Sequence, residues 1–251
     1  MALVDVESSD GIAVVTLNEP ARRNAFSLAS VAELVHAVDR AEHDAGCGAI
    51  IVTGAPPAFC GGADLQALEN ADETSLRAIY AGFLRVARSS LPTIAAVNGA
   101  AVGAGMNLAL ACDVRLVGES GWFDTRFVRL GVHPGGGHSW MLRDLVGPQR
   151  AAALLLFGER ARGPEAVEAG LALRCVPDDE LLGAARSLAA GVATASRPLV
   201  EKVKATLRGM ADVTNLEHAV ACELEPQLWS LRQPAFTQGL GAVRAGIAGR
   251  R

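Results

Sequence analysis

Two stretches decide the reading of this chain: Ala58-Phe-Cys-Gly-Gly-Ala-Asp-Leu65 and Ala96-Val-Asn-Gly-Ala-Ala-Val-Gly-Ala-Gly-Met-Asn-Leu108. In each, small residues stand where an apolar, strand-like run hands over to a helix. The first turn of a helix carries backbone N–H groups with no internal acceptor, and the helix dipole adds partial positive charge there. Small side chains let a ligand come close to that backbone. Two such N–H groups converging on one point make an oxyanion hole, which stabilises an enolate beside a thioester. Taken singly, each loop is more often a packing device. Gly103-Ala-Gly105 is a poor dinucleotide fingerprint, because Leu108 stands in place of its third glycine. Gly137-His-Ser-Trp-Met141 lacks the final glycine of a nucleophile elbow.

Working outward, Gly48–Gly54 (GAIIVTG) reads as a strand buried on both faces. Gly11–Leu17 alternates into a β-branched strand ended by Pro20. Ser30-Val-Ala-Glu33 has capping-box spacing, and Val31, Leu34, Val35 and Val38 extend a helix to about residue 44. A helix is expected from Ala63 to Leu68. Thr93–Val97 is a strand, Asn98–Ala104 a loop, Gly105–Ala111 a helix and Val114–Val117 a strand. Phe123–Leu130 is ambiguous. Helices are expected over Ser139–Leu145 and Pro164–Ala169, and after Asp179 nearly everything reads as helix. The stretch Glu69–Val86 shows no pattern that names a substrate. An α/β core followed by a helical C-terminal part results.

The 251 residues suffice for one sizeable domain or a domain with an appendage. With 23 basic and 27 acidic residues the net charge is −4, so no strong field favours nucleic acid or anionic lipid. Five scattered cysteines without C-x-x-C pairing fit reduced thiols in the cytoplasm, and no cluster has metal-ligand spacing. The start lacks the features of a signal peptide. The uncharged segment 89–112 is long enough to span a membrane, but Pro92, Asn98, Asn107 and three glycines argue for strand, loop and buried helix.

In order along the chain, Glu19-Pro-Ala-Arg-Arg-Asn-Ala25, the 58–65 segment, Ala96-Val-Asn-Gly99, Gly103-Ala-Gly105, Cys112-Asp-Val114, Gly131, Pro134-Gly-Gly-Gly137 and Ala169-Gly-Leu171 together resemble the crotonase (enoyl-CoA hydratase/isomerase) superfamily. The resemblance spans nearly the whole chain. It implies a spiral of β-β-α turns over residues 1–190 and a helical oligomerisation region over 191–251 that builds a homotrimer or hexamer. It implies a cytoplasmic protein of fatty acid metabolism that binds acyl-CoA. Coenzyme A enters as part of the substrate, with no tightly bound cofactor and no metal. The oxyanion N–H groups fall on Ala63 and Ala104. Coenzyme A falls along Arg23, Ala25 and Phe26 and along Ala63, Asp64, Leu65 and Gln66, with Arg22 or Arg23 at a phosphate. Asp64 and Asp113 read as structural hydrogen-bonding groups.

The chain departs from the family at two decisive positions. A hydratase of this family uses two glutamates to hold a water and move its protons. Here Asn107 and Phe127 occupy those places, and neither is a general acid or base. Asn107 can orient a water or substrate group, and Phe127 makes the acyl pocket apolar. Asp124 or His133 remains open as a substitute base. The readings carried forward are an enzyme acting on acyl-CoA through an enolate, a non-catalytic acyl-CoA binder or carrier, and decarboxylation or thioester hydrolysis with a relocated base.

Overall fold

The computed structural model describes residues 2–69 and 71–248. These fall into two compact units, divided between Thr194 and Ala195.

The first unit is built on a six-stranded sheet. Its strands are β1 (Val4–Ser9), β2 (Ile12–Leu17), β3 (Ala49–Gly54), β4 (Thr93–Val97), β6 (Val114–Gly118) and β9 (Arg174–Val176), adjacent in that order. β1 and β2 form an antiparallel hairpin, and all other pairings in this sheet are parallel. Alternate residues of one strand enter different cores. Ala13, Val15, Ile50, Val52, Ala95 and Val97 face the larger one. Ile12, Val14, Ala49, Ile51, Ile94 and Ala96 face the other. A sheet covered on both faces explains why these strands read as continuous apolar runs. Helices α1 (Leu28–His43), α3 (Glu73–Ala87) and α4 (Ala104–Ala111) contribute buried residues to the larger core. Helix α7 (Leu181–Ala193) covers the opposite face with Leu181, Ala185 and Ala189.

The chain repeatedly leaves this sheet for a smaller one of β5 (Ala100–Val102), β7 (Trp122–Asp124) and β8 (Ala161–Arg162). Leaving β4 for β5 before α4, and β6 for β7, gives the β-β-α spiral. The uncharged segment 89–112 resolves into β4, β5 and α4, and among the described residues no helix is long and apolar enough to cross a membrane.

Several local expectations change. Helix α1 is capped one residue-turn earlier than expected, by Ser27, which exchanges reciprocal bonds with Ser30. Glu33 instead accepts the Leu3 and Val4 N–H groups and pins β1, a strand the alternation did not announce. Part of the loop 98–104 is strand β5, because three small residues pair with β7. The ambiguous 123–130 segment is the end of β7 followed by a 3₁₀ turn, Val128–Leu130. The expected helix at 63–68 is the short α2 (Leu65–Glu69), and that at 164–169 is α6 (Gly163–Glu168). Helix α5 (His138–Leu155) runs well past Leu145, with a break where Gly147 has φ +75° before Pro148. Of the helices after Asp179, α7 belongs to the first unit and spends its apolar face on the unit's own sheet.

The second unit consists of α8 (Arg197–Gly209), α9 (Leu216–Ser230) and α10 (Pro234–Ala248). Within it Lys202 sits over the Trp229 ring at 4.8 Å.

Candidate active site

The two small-residue loops meet. Cys60 pairs with Ala101 of β5: its N–H donates to Ala100 O (2.9 Å) and its carbonyl accepts from Val102 N–H (3.0 Å). Phe26 pairs with Ala63: Phe26 N–H donates to Gly62 O (2.7 Å) and Asp64 N–H to Phe26 O (2.9 Å). These bonds flank Ala63 and leave its own N–H without an acceptor among the described residues. Ala104 is the first residue of α4, whose first internal bond runs from Asn107 N–H to Gly103 O, so the Ala104 N–H is unpartnered as well. Gly62 has φ +108°, and a methyl group there would lie 2.9 Å from Val102 O and 3.9 Å from the Ala104 nitrogen. Only glycine lets the loops approach this closely.

The turn before α1 is braced against the first loop. Arg23 and Asn24 both have positive φ (54° and 56°). Asn24 is buried, accepts from Glu19 N–H (2.9 Å) and donates to Ala55 O (2.8 Å) and Ala58 O (2.7 Å). Gly61 N–H donates to Arg23 O (2.8 Å). Arg22 pairs with Asp64 at 2.5 Å, and the Asp64 carboxylate raises the guanidinium above its ordinary pKa.

One cleft of about 470 Å³ opens on these elements. Arg22, Arg23, Ala25, Ala63, Asp64, Leu65, Ala104, Asn107, Phe127 and His133 line it. Much of the remaining wall is apolar: Leu68, Leu76, Ile79, Tyr80, Leu130 and Val132. Three of these apolar residues, Leu76, Ile79 and Tyr80, lie in α3 and within the stretch 69–86, which by itself names no substrate. The helix signal was there: Leu76, Ile79, Tyr80 and Phe83 recur at helical spacing behind an Asp72–Ser75 capping box.

Three expected site residues stand elsewhere. Phe26 is fully buried, so its side chain belongs to the core and only its backbone holds the loop. Gln66 is exposed and lies outside the cleft lining, its N–H bonded to Asp64 Oδ1 (3.2 Å). Asp124 is corrected most strongly. It is fully buried, and its carboxylate is held by Arg129 (2.5 Å), Arg160 (3.0 Å) and Arg126 (3.3 Å). Such a carboxylate is a structural anchor, not a base facing the cleft.

His133 does line the cleft, with Nδ1 bonded to Pro134 O (2.7 Å). His36 and His43 are exposed on α1. Asp113 accepts from Thr93 N–H (2.7 Å) and Oγ1 (2.9 Å), tying β4 to the end of α4. Cys60, wholly buried in the first loop, has its thiol pushed up to about 12 by burial and stays protonated.

His138 falls in the same titratable stretch of sequence as Asp124 and His133, where a histidine more often makes a loop hydrogen bond, and it reaches the site through Asn107. Its Nδ1 bonds Asn107 Oδ1, and Asn107 Nδ2 donates to Gly135 O (3.0 Å). The Phe127 ring meets the imidazole edge-on at a centroid distance of 4.8 Å. Burial pulls the His138 pKa down to about 4.

The comparisons agree with this architecture. Residues 7–240 match the family model described as enoyl-CoA hydratase/isomerase. The chain is 49% identical over 242 residues to the "Probable enoyl-CoA hydratase EchA14" of Mycobacterium tuberculosis, covering 93% of this chain and 94% of that protein. It is 39% identical over 227 residues to a "Probable enoyl-CoA hydratase" of Rhodobacter capsulatus, covering 88% of each. The crystal structure of enoyl-CoA hydratase from Bacillus anthracis superposes with a TM-score of 0.92 at 28% identity, covering 97% of this chain and 96% of that one. Fold, loop order and sequence similarity converge: the chain belongs to the enoyl-CoA hydratase/isomerase family, of crotonase fold.

Proposed function

We propose that this protein binds acyl-CoA thioesters in the cleft and stabilises their enolates through the Ala63 and Ala104 N–H groups. One observation carries the reading: two unpartnered backbone N–H groups from separate loops lie on the wall of one cleft. Coenzyme A runs along Arg23–Ala25 and Ala63–Leu65, and the apolar wall takes the acyl chain of a fatty acid intermediate. The proposed assembly is a homotrimer or hexamer. Val203, Leu207, Leu216, Val220 and Leu224 of the second unit, all exposed in the single chain, support this. A monomeric mass by light scattering would refute the assembly.

Hydration of an enoyl thioester is expected to be slow. Asn107 and Phe127 supply no proton-transfer group, a deficit of roughly 10²–10⁴-fold. The same two residues favour a second reading, an acyl-CoA binder or carrier without turnover. Crotonyl-CoA absorbance and the enolate absorbance of added acetoacetyl-CoA test both. Enolate signal with slow crotonyl-CoA loss supports the first reading, and binding without enolate supports the second. Rapid hydration would overturn the roles given to Asn107 and Phe127, and no binding of either thioester would overturn the function.

A further inference from the structure

His138 opens α5 and is 1% exposed. Asn107 Nδ2 donates to Gly135 O, which fixes the carboxamide orientation and turns its Oδ1 toward His138. A carboxamide oxygen only accepts, so Nδ1 of His138 carries the hydrogen. On the neutral ring this leaves a lone pair at Nε2. That atom is buried and has no partner among the described residues. A buried acceptor without a donor costs free energy and calls for an explanation. Asn107, Phe127 and Gly135, which contact or brace the imidazole, all line the cleft. The ring therefore stands directly behind the cleft wall.

The titratable groups on the surrounding elements are Tyr80 of α3, Asp124 and Arg126 on the strand and turn before Phe127, and His133 of the following loop. Asp124 and Arg126 pair with each other, and His133 is exposed. Burial, rather than any of these charges, is what displaces the His138 titration downward, so the ring is neutral at pH 7.

We propose that His138 is the proton acceptor for enolate chemistry in this cleft, reached when the Phe127 ring turns aside. This rests on the acyl-CoA reading above. The bond between the α-carbon and its hydrogen breaks, and the electron pair passes into the thioester to give the enolate, whose oxygen meets the Ala63 and Ala104 N–H groups. The proton forms Nε2–H, while Nδ1–H stays on Asn107 Oδ1. The enolate charge offsets the cost of an imidazolium in a dry site. Return of the proton to the α-carbon, or to the γ-carbon of an enoyl chain, restores the neutral ring without any co-reactant. An asparagine at position 107 then has a purpose: it holds the tautomer that leaves Nε2 free.

The test is exchange of the α-hydrogens of butyryl-CoA into D₂O, followed by mass spectrometry, with affinity measured by calorimetry. The unmodified chain should exchange, with a rate that falls as the pH is lowered. His138→Gln should lose roughly 10²–10⁴-fold in exchange, keep its affinity for butyryl-CoA and lose that pH dependence. Phe127→Ala, which leaves the Asn107–His138 bond in place, should speed exchange by opening the path to Nε2, and serves if His138→Gln does not fold. Exchange by His138→Gln at the unmodified rate and pH profile, or no acceleration by Phe127→Ala, would overturn the proposal. So would the loss falling on His133→Gln instead. Binding without exchange in the unmodified chain would overturn it and leave acyl-CoA binding standing. Absence of binding would overturn both.

Discussion

The carbonyl oxygen of Cys60 and the α-carbon of Gly105 are in direct contact: a methyl group on Gly105 would lie 2.1 Å from that oxygen. The oxygen cannot retreat cheaply, because it accepts from Val102 N–H (3.0 Å) while Cys60 N–H is held by Ala100 O. Gly105→Ala is therefore expected to destabilise the protein by about 1–3 kcal/mol, the usual cost of overpacking. It should also weaken acyl-CoA binding, since the two segments wedged together here carry the Ala63 and Ala104 N–H groups, one on each. Urea denaturation and calorimetric titration check the two parts. A variant as stable as the parent would show that the loops are not wedged together here.

His138 makes stability depend on pH. Its folded-state pKa is lowered to about 4 from an ordinary value of 6.5. Between those values the unfolded chain binds the proton and the folded chain does not. The contribution is fully present above pH 6.5 and is lost as the pH falls toward 4. The slope is at most about 1.4 kcal/mol per pH unit. Urea unfolding between pH 7.5 and pH 4.5 should show stability falling with acidification over that window, and less steeply in His138→Gln. Equal slopes in both proteins would exclude a buried neutral His138.

Removal of the Asp124 charge should cost stability. Asp124→Asn leaves Arg126, Arg129 and Arg160 facing one another around a neutral amide. Breaking a buried ion pair by removing one partner costs about 3–5 kcal/mol. The guanidinium groups are about two-fifths exposed, so the loss belongs at or below the lower end of that range. Thermal unfolding measures it. An unchanged midpoint would show that solvent already compensates the cluster.

Ala104→Pro removes one of the two proposed oxyanion donors. Position 104 is the first residue of α4, where proline is tolerated because the N–H has no helical partner. The substitution should leave stability near that of the parent and reduce enolate stabilisation by roughly 3 kcal/mol. The enolate absorbance of bound acetoacetyl-CoA is the readout. An undiminished signal would remove Ala104 from the site.

Much of the fold was legible. Strand β4 falls where its apolar run placed it, and helix α4 covers the expected Gly105–Ala111. The 58–65 and 96–108 segments carry local signals, glycine and alanine at strand-to-helix junctions, that survive without any knowledge of the rest. The capping of α1 was misread because Ser27 and Ser30 are both competent caps, and the choice between them depends on where β1 needs Glu33. Helix α3 went unread although its period is regular, because a surface helix covering one side of a cleft has little to mark it as important.

The sequence by itself determined that small residues stand at both strand-to-helix junctions and that positions 107 and 127 carry no carboxylate. These are statements about residue type within a local frame, and no packing can alter them. Only the tertiary structure decided which titratable groups reach the cleft. Asp124 was removed because three arginines from the segments around it close over its carboxylate. His138 was brought to Asn107 across 31 residues of chain, and its proton was assigned by the carbonyl of Gly135. Burial and hydrogen-bond partners set the charge state of a side chain, and both arise from contacts between segments that local sequence does not encode.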